Sequence, residues 1–139
     1  MIDSILVNRK MSLIIQDLEA LKEFAAMEYN VYMSDPINQA ASERYLERII
    51  NRMIDINYHV STAKGKAPPK DYYQSFIELG QLQILPTDFS TIIAQSAGLR
   101  NRISHDYDDL DPRLFHEAMK SAIVDIPKYL KFVSDSLEA

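Results

Sequence analysis

The sequence predicts an all-α fold, a bundle of four long helices and one short helix, and three observations carry that expectation. Glycine occurs only three times in 139 residues. Between the few breakers, apolar residues recur at three- and four-residue steps over long stretches, the spacing of one helical face. No internal repeat or low-complexity tract suggests a solenoid or a linker.

A first helix is predicted from about Asp3 or Ser4 to about Met27, with Leu6, Leu13, Ile14, Leu18, Leu21, Phe24 and Ala25 on its apolar face. Tyr29 to Pro36 reads as a connector, because proline disfavours helical geometry at the preceding Asp35. A second helix from about Asn38, its candidate cap, to Ala63 is predicted to bury Tyr45, Leu46, Ile49, Met53, Ile56 and Val60, with Ile50 at the margin. Lys64 to Pro69 combines a helix stop with two prolines and reads as a surface loop. The short helix is placed at about Asp71 to Leu79, with Tyr72, Phe76 and Leu79 inward and Gly80 ending it. Thr87 is a candidate cap for a fourth helix beginning at Asp88, whose stripe is Phe89, Ile92, Ile93, Ser96 and Ile103. The aspartates from Asp106 to Asp111 break that helix. Asp111 and Pro112 supply the cap and first residue of a fifth, packed through Phe115, Ala118, Met119, Ala122, Ile126, Tyr129, Leu130 and Val133 and kinked or split by Pro127.

At 139 residues and 47% hydrophobic content, the chain suits a single domain with one ordinary core, spanning 1–139. Cysteine is absent, which excludes disulfides and thiolate chemistry and fits a reducing cytoplasm. Short apolar clusters near the N-terminus are interrupted by Arg9, Lys10 and Asp17, so neither a secretory segment nor a membrane span is expected. A formal charge of −5 argues against general attraction to nucleic acid, and any such contact must come from a local basic surface.

The richest chemistry lies in Arg100-Asn101-Arg102-Ile103-Ser104-His105-Asp106-Tyr107, beside the apolar stripe of the fourth helix. On a helical wheel Arg100 falls inside that stripe, where a charge is costly without a partner. Asn101 and His105 share a neighbouring face, and Arg100 and His105 stand about 140° apart. The residues alone leave two readings open: a paired arginine with an ordinary helix-end histidine, or a phosphate-binding cation with a proton acceptor. Likewise Tyr107 either closes the core edge with its ring or stands as a modification target. Gly98 either permits close approach of another helix or is a plain irregularity.

Arginine, four residues, histidine, one residue and tyrosine, with Asn101 directly after the arginine, resembles the signature of HEPN-domain ribonuclease toxins of the HepT family. The resemblance extends over Tyr45-Leu46 to Val60, the Pro68-Pro69 loop, Tyr72 to Leu79 and Leu99 to Leu110. It implies a HEPN-type bundle and a homodimer that brings two copies of the motif helix to one groove. It also implies a metal-independent endo- or exoribonuclease acting on tRNA or other cellular RNA without a cofactor. His105 would take the 2′-hydroxyl proton, and Arg100 would meet the negative charge gathering on the phosphorane. Imidazoles as a class titrate near neutral pH, and guanidinium is a planar, permanently charged phosphate donor. Asn101, Arg102 and Ser104 would support them. Tyr107 would receive AMP from an MNT-type nucleotidyltransferase antitoxin, placing negative charge and bulk where RNA phosphate must bind.

A second polar constellation, Arg44, Arg48, Arg52, Asp55 and His59, recurs at three- and four-residue steps on the second helix. It reads either as a solvated flank or as a ridge for RNA backbone, with Asp55 a candidate partner of Arg100 or His59. His116, without a companion, reads as surface. The chain holds no phosphate-binding glycine loop, no serine nucleophile motif and no histidine-carboxylate metal spacing. Asp106, Asp108, Asp109 and Asp111 lack the glycine and glutamate of a calcium loop. A different class of function, a non-catalytic helical adaptor for a partner protein, is the alternative to the enzyme.

Overall fold

The computed structural model describes residues 1–138, and among them the only regular elements are helices. Helix α1 spans Ser4–Ala25, its amides capped by Asp3, whose carboxylate accepts from the Leu6 N–H at 3.1 Å. Its buried face is Val7, Met11, Ile14, Leu18, Leu21 and Ala25. This face is rotated slightly from the predicted stripe: Leu6 is exposed and Leu13 only half-buried, because the face that keeps an unbroken three-four rhythm against its neighbours starts at Val7.

The expected connector contains a one-turn helix, α2 (Tyr29–Met33), which drives Tyr32 into the core, where its hydroxyl shares a hydrogen bond of 2.7 Å with Ser42. Helix α3 spans Pro36–Ala63 and starts earlier than predicted. Asp35 caps it, accepting from the Ile37 N–H at 3.0 Å, and Pro36 occupies the first turn, where a missing N–H costs nothing. Asn38 instead donates to the Tyr32 carbonyl. Gly65, at φ 82°, ends α3 in a left-handed turn, with the Lys66 N–H returning to the Ser61 carbonyl.

Helix α4 (Tyr72–Gln81) is capped by Asp71. Gly80 does not end it: the residue is helical and fully buried, and a Cβ there would fall within 2.8 Å of Ser90 Cβ. Its role is close helix crossing. The predicted fourth helix is two helices, α5 (Thr87–Ile93) and α6 (Gln95–His105), with Pro86 rather than Thr87 at the cap position. At buried Ala94 the ladder tightens, the Ala97 N–H bonding back three residues at 3.1 Å. The break lets α5 pack on α4 while α6 turns along α3. A 3-10 turn, Tyr107–Asp109, precedes α7 (Pro112–Glu138), which Asp111 caps through the Arg113 N–H. Pro127 does not split α7, which continues through it to Glu138 with the ring on the exposed side.

The core lies between α1, α3 and α7, closed by α4 to α6. A buried polar chain crosses it and is satisfied: the Tyr129 hydroxyl shares its proton between the Met53 carbonyl and Asn57 Oδ1, and Asn57 donates to Ser75. Complete burial holds the Tyr129 hydroxyl protonated, well above the usual phenol range. His116 is not a surface residue. It is 1% exposed, its Nε2 2.9 Å from the Met27 carbonyl, between the rings of Tyr29 and Tyr32. Its position one turn into α7 faces the α2 segment, an element the sequence did not suggest.

Candidate active site

The wheel of α3, at about 100° per residue, divides its polar surface in two. One flank carries Arg48, Arg52 and His59 and faces α1. Arg48 and Arg52 both bond Asp17, at 3.1 and 2.7 Å, and Asp17 is only 5% exposed. His59 accepts from the Asp3 N–H at 2.9 Å. These three side chains tie α1 to α3, so the flank is neither simply solvated nor a free ridge. Asp55 and Arg44 crown the exposed edge, paired with Lys10 and Glu47 respectively.

The other flank, Glu47, Asn51 and Tyr58, faces α6 and α4. There the motif helix is held by two matched contacts four residues apart on each side. Arg100 Nε donates to Asn51 Oδ1 at 2.7 Å, and Ser104 Oγ donates to Glu47 Oε2. One number rises as the other falls, which is the register of antiparallel helices. The Ser104 hydrogen bond, with help from Arg44, holds the Glu47 carboxyl below the usual glutamate range against the opposing effect of burial.

Arg100 is therefore half-buried, with its plane fixed. Its guanidinium lies 5.2 Å from the Tyr72 ring centroid, and a weaker contact of 3.4 Å reaches Asn101 Oδ1. No carboxylate of the described residues stands within salt-bridge distance of it. It opens into a cavity of about 570 Å³ shared with Asn51, Ile54, Asp55, Tyr58 and Tyr72. An oriented guanidinium with no carboxylate bonded to it, open to a cavity, is suited to hold an anion.

The other motif residues do not converge there. His105 is the last residue of α6, exposed, and does not line the Arg100 cavity. Asn101 is exposed beyond its contact with Arg100, and a methyl group at Gly98 would meet nothing within 4 Å. Gly98, Asn101 and His105 thus form an open face of α6. Arg102 points the other way, toward an apolar groove of about 320 Å³ bordered by Ile92, Leu99 and Ala122. Tyr107 is 63% exposed in the 3-10 turn, not a core-edge ring. Sequence reasoning missed Asn51, Glu47, Tyr58 and Tyr72; the row Glu47, Asn51, Asp55 at four-residue steps was the available signal, overshadowed by the arginines beside it.

Among the described residues no helix is long and apolar enough to cross a membrane, and no cluster of His, Asp and Glu is placed to hold a metal ion.

The model of the family described as HepT-like, Ribonuclease HepT-like, matches residues 14–133. A tRNA nuclease HepT of Aphanizomenon flos-aquae (strain 2012/KM1/D3) is 34% identical over 136 residues, 98% of this chain and 92% of that protein. Among solved structures, the tri-AMPylated Shewanella oneidensis HEPN toxin in complex with its MNT antitoxin superposes with a TM-score of 0.85 at 20% identity, covering 97% of this chain and 99% of that one. The cytosolic protein YutE of Bacillus subtilis, of unknown function, superposes with the same score at 12% identity over 99% and 92% of the two chains. These superpositions establish the likeness of fold.

Proposed function

The chain belongs to the HepT-like ribonuclease family, and from that premise we propose that it is a ribonuclease toxin that cleaves tRNA or another cellular RNA without a metal ion. The observation that carries the reading is Arg100: fixed by Asn51 and Tyr72, unpaired by any described carboxylate, and open to a cavity. In the proposed reaction His105 accepts the 2′-hydroxyl proton, the 2′-oxygen forms a bond to phosphorus, and the bond to the departing 5′-oxygen breaks as that oxygen takes up a proton. Arg100 stabilises the charge on the phosphorane. Asn101 and Arg102 contribute polar contacts to the RNA strand, and Ser104 keeps the helix end in register through Glu47. Arg48, Arg52 and His59 act behind this, through the α1–α3 junction, and Asp55 borders the cavity itself.

Two copies of the chain make one functional groove. Arg100 and His105 face different ways on α6, and the open face carrying Gly98 and His105 is free for a second protomer. Exposed Tyr107, two residues beyond His105, is the site at which an MNT-type nucleotidyltransferase antitoxin attaches AMP, and the AMP phosphate then competes with RNA for the same cations. The Shewanella neighbour, a tri-AMPylated toxin held with its antitoxin, supports this regulation. Cytoplasmic RNA and a cytoplasmic partner set the cytoplasm as its place of action.

The test is digestion of total RNA by the purified chain in the presence of a chelator. Cleavage is expected to persist, to fall about 10²- to 10⁴-fold in His105→Ala, and to be silenced by the antitoxin and ATP in the wild type but not in Tyr107→Phe. Intact RNA under all conditions, or equal cleavage by wild type and His105→Ala, defeats the proposal.

A further inference from the structure

Resting on the ribonuclease reading above, we propose that the cavity beside Arg100 is a nucleobase subsite. In it, the base next to the scissile phosphate stacks in the Tyr58–Tyr72 corner and presents hydrogen-bond donors to Asp55, which makes guanine the preferred occupant.

Four observations lead there. The Tyr58 and Tyr72 rings lie 6.3 Å apart at 80°, so a flat ring laid on one meets the other edge to face, the arrangement aromatic groups favour. Arg100 stands over Tyr72 at 5.2 Å, so a phosphate held by the guanidinium has its neighbouring base within reach of the same corner. The lining also holds one carboxylate. Asp55 lines the cavity, and burial, helped by Tyr72, Asp71 and Glu78, raises the Tyr58 phenol above its ordinary value. That carboxylate disfavours a second phosphate and leaves room for an uncharged base, with the Tyr58 hydroxyl remaining a donor.

Asp55 supplies the selectivity. Its Oδ2 is occupied by Lys10 at 3.0 Å, while its Oδ1 accepts no hydrogen bond among the described residues, and the side chain is 57% exposed. A carboxylate only accepts, so it selects base edges that donate. Guanine offers two adjacent N–H groups on its Watson–Crick edge, adenine and cytosine one amine each, and uracil a single N–H between two carbonyls. Discrimination of about tenfold or more between the first and the last is the usual scale for such a pairing.

The experiment compares cleavage of short oligoribonucleotides that differ only in the base beside one scissile phosphate, using the full chain. Wild type is expected to favour guanine over uracil about tenfold. Asp55→Asn, which adds donors at an exposed position without disturbing the core, is expected to shift the preference toward uracil, and Tyr58→Leu to flatten it. Cleavage with one unchanged base preference in all three proteins overturns the subsite and leaves the ribonuclease standing. If the wild type cleaves nothing, the ribonuclease reading falls, and the subsite is judged by titration with GMP. Ring-proton shifts of Tyr58 and Tyr72 that vanish in Asp55→Asn uphold it; their absence in the wild type overturns it.

Discussion

At the scale of single residues, the decisive feature is the way Arg100 is held without being neutralised. Asn51 offers Nε an uncharged acceptor at 2.7 Å, which orients the fork and leaves its charge for a ligand. Two substitutions separate orientation from packing. Asn51→Leu removes the acceptor and is expected to lower the cleavage rate about tenfold, the worth of one hydrogen bond of ~1–1.5 kcal/mol. Asn51→Asp keeps an acceptor but places a carboxylate on the guanidinium. It is expected to melt no lower than wild type while losing RNA affinity, seen as a rise in KM larger than any fall in kcat. Equal activity in all three proteins would show that the Arg100 geometry is irrelevant to the reaction. Glu47 makes the complementary prediction. Its folded-state ionisation lies below its unfolded one, so its charge stabilises the fold above the usual glutamate range, and that contribution disappears as pH falls through the depressed value. The stability gap between wild type and Glu47→Gln, about 1 kcal/mol at neutral pH, should therefore close in urea titrations under strongly acidic conditions. A gap independent of pH would contradict the assignment of that charge to the Ser104 anchor.

At the scale of elements, helix existence was legible and helix ends were less so. The three-four rhythm located the long helices because burial of one face dominates their stability, and Asp111-Pro112 announced the start of α7 because that cap is purely local. The break at Ala94 left no local mark, since Ala94 is a strong helix former whose turn tightens only because α5 and α6 pack on different partners. The motif was plain in the sequence, whereas its support from Asn51 and Glu47 depends on how α3 is rotated against α6, a tertiary fact. The end of α4 shows what local chemistry tolerates. The Ile84 N–H returns to the Leu79 carbonyl at 2.9 Å and the Gln83 N–H to Gly80 at 3.1 Å, a full Schellman closure, yet the left-handed position is Gln83 at φ 62°. Gln83→Gly removes the strain of a side chain at positive φ and is expected to stabilise the protein by about 0.5–1 kcal/mol, although glycine loosens the unfolded chain. A lower melting temperature for that variant would mean that Gln83 makes a compensating contact.

At the scale of the whole molecule, the proposed activity raises the question of how a chain of net charge −5 would handle RNA with two candidate groups that point apart. Asp55 borders the Arg100 cavity and few cations are available there, so contact must be local and the salt dependence of binding shallow. A composite site solves the geometry. If Arg100 of one protomer works with His105 of another, each two-fold dimer has two such pairs. Arg100→Ala and His105→Ala homodimers are then both inactive. In an equal mixture allowed to exchange subunits, half of the dimers combine the two variants, and each of these has one intact pair out of two. Cleavage should return to about a quarter of the wild-type rate, and should disappear again if the variants are mixed under conditions that prevent exchange. A site complete within one chain yields no recovery whatever the mixing protocol. The same mixture separates the catalytic reading from a helical adaptor, because an adaptor has no cleavage to lose or regain, and the ratio of one quarter arises only when two copies each supply half of the chemistry.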